Sequence, residues 1–356
     1  MAPWIVAQIQ GGKMALVAGL PAHFSNAGDA WRDQARRSLA ISDRLLGSPS
    51  SGAAKALASA TCGIACAAMP IIDAIGTGGL PCLDLRNAHG HARIYLHGAH
   101  VTAWTPTDGS EVLWLSTRSH FAAGKPIRGG IPICFPWFGG HPTNAKLPAH
   151  GFARNLPWLV QARTDRADGS TQVILALADD ADTRAQWPHP FGAELTLTLA
   201  NTLEIALTVT NTGNADCTFE QALHSYFAVS DIEKTTVDGC QGRKYFDKAG
   251  GGLVERTDDQ PAITFRSETD RVYPQTPGPH LISDTVSGRK VRVAKRGAAT
   301  SVIWNPWIAK AAAMADYGDH EWPGMVCVEA ANAGADRITL RPGAQATCAT
   351  TLECVR

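Results

Sequence analysis

Residues 193–209 constrain this chain more than any other stretch. Ala193–Asn201 reads AELTLTLAN and Leu203–Val209 reads LEIALTV. Apolar residues fall at every second position, Leu195, Leu197 and Leu199, then Leu203, Ile205, Leu207 and Val209. Successive strand side chains point to opposite faces, so this period lays one apolar face down on a core and leaves the other polar. The short polar break between the runs predicts an antiparallel hairpin buried on one side. Shorter runs of strand character follow the same logic at Arg93–Leu96, Val112–Leu115, Gln172–Ala178, Ile263–Phe265, Val291–Ala294, Ser301–Ile303, Arg337–Leu340 and Thr347–Glu353. Many short strands without alternating helices predict an all-β fold, a large antiparallel sandwich or barrel.

That pattern begins near Leu80. Residues 1–78 are rich in Ala, Gly and Ser and are expected to be an N-terminal extension, helical or disordered, ahead of a domain spanning 79–356. Within the extension Trp31, Ala35, Leu39, Ile41 and Leu45 are spaced as on a helix over Asp29–Leu46, and Ala53–Met69 is Ala-rich. Three readings are compatible with it: a targeting or docking segment, a helical cap, or translated sequence ahead of a later start such as Met69. It lacks the layout of an ordinary secretory signal.

Composition narrows the function class. The 32 basic and 32 acidic residues cancel, which argues against a nucleic-acid surface or a polybasic membrane patch. No run of about 18 apolar residues marks a membrane-spanning helix. Nine irregularly spaced cysteines in a long chain read as reduced thiols of a cytoplasmic enzyme, not a disulfide scaffold. Phosphate-binding loops of the Walker type, dinucleotide fingerprints and the G-x-S-x-G elbow are missing from the sequence.

The chemistry-bearing residues fall in four places. Lys125–Arg154 is dense in Gly and Pro, with apolar Ile, Phe and Trp between them, and carries Arg128, His150 and Arg154. Such a loop lies bent on a core, and two guanidiniums with an imidazole suit a small anion. The competing reading is a buried structural loop whose arginines pair with carboxylates. His224 in QALHSYF sits in an apolar run, where a histidine is more often a bonded core residue than a catalyst. Glu329 interrupts VCVEAAN, a strand that should be buried, and a carboxylate there costs several kcal/mol unless it is paired or faces a cleft. Asp270 in SETDRVY could accept sugar hydroxyls or cap a turn. His89, His91, His97 and His100 crowd one stretch, but no carboxylate or Cys falls at a familiar ligand spacing beside them, so no metal is expected.

Taken together, GAHVTAW (98–104), VLWLS (112–116), KPIRGGIPICFPWFG (125–139), LPAHGFARNLPW (147–158), ALHSYF (222–227), ETDRVY (268–273) and VCVEAAN (326–332) resemble the glucose-6-phosphate 1-epimerase family, hexose-6-phosphate mutarotases of the aldose 1-epimerase superfamily. The resemblance covers Leu80 to the C-terminus. It implies a galactose-mutarotase-like β-sandwich with a sugar cleft on a concave face, no cofactor, and a small phosphosugar as the one partner. It implies His224 as general acid and Glu329 as general base, with Arg128, His150, Arg154 and Asp270 as substrate ligands and the arginines on the phosphate. Ring opening by that pair asks for a protonated His224 and an ionised Glu329. Rival expectations are a mutarotase of free aldoses, a noncatalytic sugar-binding sandwich, and a glycosidase pairing Asp270 with Glu329.

Overall fold

The alternation over residues 191–211 is borne out position by position in a computed structural model, which describes residues 6–10, 13–17 and 71–355. Strands Phe191–Leu199 and Leu203–Asn211 pair antiparallel, with Leu199 opposite Leu203 and Leu197 opposite Ile205. Every apolar residue singled out there, from Leu195 to Val209, is fully buried. Burying a side chain of this size contributes about 1.5–3 kcal/mol, so the hairpin is fixed by its inner face.

That hairpin sits inside a nine-stranded antiparallel sheet. Strand Gln345–Val355 pairs with Leu203–Asn211 on one side and with Lys290–Arg296 on the other, so the C-terminal strand closes the middle of the sheet. A second large sheet runs through Thr269–Tyr273, Thr300–Asn305, Met325–Asn332 and Gln221–Leu223 to Ile133–Cys134. Leu195, Leu207 and Leu352 of the first sheet share one apolar cluster with Val326, Val328 and Ala330 of the second. The result is the expected antiparallel sandwich, with its core between the two sheets.

A four-stranded sheet, Ile71–Ile75, Pro81–Asn87, Gly90–Tyr95 and His100–Pro106, adds Leu83, Leu85 and Ile94 to that core. Its first strand lies ahead of residue 79, the expected start of the sandwich, and pairs Ile71 with Leu85. Val112–Leu115, expected as a strand, forms only isolated bridges, Leu113 to Phe227 and Leu115 to Gly129. It runs between two different partners and completes a ladder with neither.

The N-terminal unit is described only as a hairpin in which Val6–Gln10 pairs with Lys13–Val17. The helix expected over Asp29–Leu46 and the Ala-rich Ala53–Met69 lie outside the described residues. The described cysteines, Cys82, Cys134, Cys217, Cys240, Cys327, Cys348 and Cys354, carry no disulfide. No helix among the described residues is long and apolar enough to cross a membrane.

Candidate active site

The second sheet carries a cleft on the face turned away from the core, and period-2 alternation decides what enters it. In Met325–Asn332, Val326, Val328 and Ala330 face the core, which places Cys327, Glu329 and Ala331 on the opposite face. In Thr300–Asn305, Ile303 faces the core and Val302 and Trp304 face the cleft. Glu329 lies directly beside Val302 in the ladder and is 1% exposed. A carboxylate on a core strand thus does face a cavity.

His224 stands opposite Glu329 across the same ladder. Leu223 pairs with Ala330 and Tyr226 with Cys327 in one register, and between them the Val328 amide donates to the Ser225 carbonyl at 3.2 Å. On its other side the strand is bonded as well, the His224 amide donating to the Pro132 carbonyl at 3.1 Å and the Tyr226 amide to the Gly130 carbonyl at 2.9 Å. Alternation puts Ala222, His224 and Tyr226 on the cleft face and Leu223 and Phe227 on the core face. His224 Nε2 lies 3.4 Å from Glu329 Oε1, and its ring stacks on Tyr226 at 4.8 Å between centroids.

The Gly- and Pro-rich loop supplies one wall. Gly130, at φ +60°, lies so close to the Val101 carbonyl that any Cβ would collide with it, and its amide donates to Trp114. This close approach seats Arg128 on the cleft. Its guanidinium donates to both oxygens of Asp316 at 3.2 Å and to the Tyr226 hydroxyl at 3.0 Å. Burial opposes its charge, but Tyr226 and Asp316 outweigh burial and hold it firmly protonated.

His150 has φ +61°, and the next residue, Gly151, packs against the Phe135 carbonyl. The Gly139 amide donates to His150 Nδ1 at 3.3 Å, so a neutral ring carries its proton on Nε2. Burial and then Arg154 push His150 well below its ordinary range, which keeps it neutral. Arg154 is 7% exposed, donates to the Ala149 carbonyl at 2.7 Å, and has a buried Nε with no partner among the described residues. Burial is the main force lowering the affinity of Arg154 for its proton. Asp270, on Thr269–Tyr273, meets Lys310 Nζ at 3.4 Å, and burial raises its carboxyl against the pull of that lysine.

All six residues expected from sequence, Arg128, His150, Arg154, His224, Asp270 and Glu329, line one cavity of about 250 Å³. They share it with Phe138, Tyr226, Lys248, Trp304, Lys310 and Met314, which sequence reasoning did not name. Tyr226 was within reach, since it follows His224 by two in a strand-like run. Lys248 and Lys310 belong to a loop and a short helix whose local sequence gives no hint of the cleft.

One expectation meets an opposing force. Charge on both members of the pair was expected, with His224 protonated and Glu329 ionised. Burial, followed by the charges of Arg154 and Arg128, pushes His224 well below its usual range. Burial, followed by the charge of Asp270, pushes Glu329 well above its own. Both groups are therefore driven toward their neutral forms. The crowded histidines have partners of their own: His97 bonds the Lys125 carbonyl and His100 the Gly129 carbonyl, each at 2.7 Å, while His91 meets Asp84. Among the described residues no three His, Cys, Asp or Glu side chains come together as a metal cage.

Residues 81–353 match the family described as aldose 1-epimerase. A "putative glucose-6-phosphate 1-epimerase" of Cenchrus ciliaris is 39% identical over 276 residues, 74% of this chain and 82% of the relative. One of the same description from Escherichia coli (strain K12) is 38% identical over 242 residues, 68% of this chain and 80% of the relative. The crystal structure of a "putative mutarotase" from Salmonella typhimurium superposes with a TM-score of 0.73 at 32% identity, covering 81% of this chain and 97% of that one.

Proposed function

The chain belongs to the aldose 1-epimerase family, and from that membership we propose that it interconverts the α and β anomers of a hexose 6-phosphate, with glucose 6-phosphate the leading candidate. The observation that carries the proposal is the 3.4 Å contact of His224 and Glu329 in a cleft that also holds four cations, Arg128, Arg154, Lys248 and Lys310. The activity is assigned to residues 79–356 together with the strand Ile71–Ile75 that completes their sheet.

Anomers exchange when the ring opens, C1 rotates about its bond to C2, and the ring closes on the other carbonyl face. Opening removes the O1 proton and delivers a proton to the ring oxygen. Ionised Glu329 takes the first and protonated His224 gives the second; on closing they exchange roles. The ion pair and the neutral pair hold the same number of protons, so ring opening converts one into the other. Burial of both groups favours the neutral pair, which is the state that accompanies the open-chain aldehyde. The cleft thereby lowers the open form relative to the ring, while binding of the closed sugar must stabilise the charged pair.

His150, held as a neutral Nε2–H donor, offers a hydrogen bond to a sugar oxygen. Arg154, without a carboxylate partner among the described residues, offers its charge to the phosphate. A sugar phosphate dianion does not cross a bilayer unaided, so such an enzyme works in the cytoplasm where that substrate is made.

Exchange spectroscopy between the anomers of glucose 6-phosphate tests the proposal. Acceleration by catalytic amounts of protein is expected, and exchange at the buffer rate would refute it. The Arg128–Asp316 pair favours one second reading, a free aldose as substrate, because a matched guanidinium brings no net charge to a phosphate. A higher kcat/KM for glucose than for glucose 6-phosphate would establish that reading instead.

A further inference from the structure

Four cations line the cleft, Arg128, Arg154, Lys248 and Lys310. Two of them are matched. Arg128 is bidentate on Asp316, and Lys310 meets Glu268 at 2.7 Å and Asp270 at 3.4 Å. Among the described residues no carboxylate stands within ion-pair distance of Arg154 or Lys248.

Lys248 is anchored by its backbone and free at its tip. Its amide donates to the Asp270 carbonyl at 2.7 Å. The residues after it are fastened too, Ala249 to Asp247 Oδ1 at 3.2 Å and Gly250 to Glu268 Oε2 at 3.3 Å. Nζ lies 5.9 Å from the centre of the Phe138 ring. Phe138 meets His150 edge-on at 4.9 Å, and His150 meets His224 edge-on at 5.6 Å. Lys248, Phe138, His150 and His224 thus follow one another along a single wall, and Arg154 is bonded to Ala149 of that same wall.

We propose that Lys248 acts with Arg154 as the seat of the substrate phosphate and sets the preference for phosphorylated over free hexoses. The inference rests on the reading that the substrate is a hexose 6-phosphate. A dianion leaving water needs charge that is not already spent. A guanidinium locked on a carboxylate presents no net charge, whereas two unmatched cations balance a dianion. The roles divide by chemistry: buried Arg154 offers a fixed planar donor, and Lys248 a compact charge on a flexible stem that follows C6 as the ring opens.

The test compares kcat/KM for glucose 6-phosphate and for glucose at fixed ionic strength in the full chain and in Lys248→Met, Lys248→Gln and Lys248→Arg. The ratio of the two values cancels any influence of the Lys248 charge on Glu329, which both sugars feel alike. Expected is a fall in the phosphate-to-free ratio of at least about tenfold in the Met and Gln variants, with most of it restored by Arg. Inorganic phosphate should inhibit wild type competitively and inhibit the Met variant more weakly. A wild type that prefers the phosphorylated sugar, with a Met variant that keeps its ratio, overturns the role of Lys248 and leaves the substrate reading intact. A wild type with no such preference overturns the substrate reading, and the inference with it.

Discussion

His224 Nε2 stands 3.4 Å from Glu329 Oε1 although the two residues are more than a hundred positions apart. Neither is an ordinary occupant of its place. Glu329 is a carboxylate on a strand whose residues are all buried, and His224 is an imidazole facing it from the neighbouring strand. One register sets the two residues opposite each other, and alternation turns both to the cleft face. The proposed catalytic geometry is the pleat of an intact sheet, with two titratable side chains at facing positions on neighbouring strands.

Removing either partner should cost most of the anomer exchange. For His224→Asn and Glu329→Gln, which keep shape and hydrogen-bonding capacity, kcat should fall about 10²–10⁴-fold each. Because the two groups act on one proton inventory, the double variant should be little worse than the single ones. Two-dimensional exchange spectroscopy of the labelled anomers measures this. Wild-type exchange in either single variant would remove that residue from the chemistry.

How far these residues were legible in the sequence depends on the range of the signal. The hairpin at 193–209 could be read because its signal is local: alternation by two, and a core that punishes any slip of register. Glu329 was legible for the same reason, as a charge in an apolar run. The loop residues Arg128, His150 and Arg154 stood out by residue type, but their partners did not. Asp316, which neutralises Arg128, lies far along the chain in a segment with no motif, and only the folded sheets bring it there. Lys248 escaped notice similarly, and the failed strand at Val112–Leu115 shows the converse, strand-like residues that lack a continuous partner. The protonation of the His224–Glu329 pair was not legible at all, since it follows from burial on every side.

The Arg128–Asp316 pair should be worth more to the fold than to phosphate binding. Arg128→Met leaves a largely buried carboxylate alone and strips the Tyr226 hydroxyl of its donor, a loss of about 1–3 kcal/mol. Adding Asp316→Asn should recover a good part of it, as seen in urea denaturation. The double variant should also keep more of its preference for the phosphorylated sugar than Arg154→Gln does. If Arg128→Met and Arg154→Gln lose that preference equally, Arg128 contacts the phosphate after all.

Gly151 should not tolerate a side chain. It has φ +77°, and a Cβ there would run into the Phe135 carbonyl, while Gly140 nearby faces open space. Gly151→Ala should destabilise by more than about 1 kcal/mol and weaken catalysis by shifting His150, whereas Gly140→Ala should do neither. Thermal melts of the two variants side by side decide the matter, and equal melting temperatures would show that the turn yields.

Acid should weaken the fold well above the range in which ordinary carboxylates titrate. Burial lowers His100 to about 3 and His280 to about 4, and it lowers His150 and His224 as well. Folded, these rings stay neutral; unfolded, each takes up a proton below about pH 6.5. The unfolded state therefore binds more protons as pH falls, and stability present above pH 6.5 drains away below it, by about 1.4 kcal/mol per pH unit for each such histidine. Glu329 works the other way: its raised value keeps a proton on the folded carboxyl that the unfolded one gives up above about pH 4.5, so its contribution grows as pH falls toward that point. Asp84 and Asp284, each held at about 2 by hydrogen bonds that outweigh burial, enter only below pH 4. The net slope between pH 6.5 and 4.5 is set by the histidines. Urea denaturation at pH 7, 6 and 5 should show a steady loss of unfolding free energy, and His280→Gln should reduce the slope by one proton's worth. A stability unchanged from pH 7 to pH 5 would mean that these rings take up protons in the folded state.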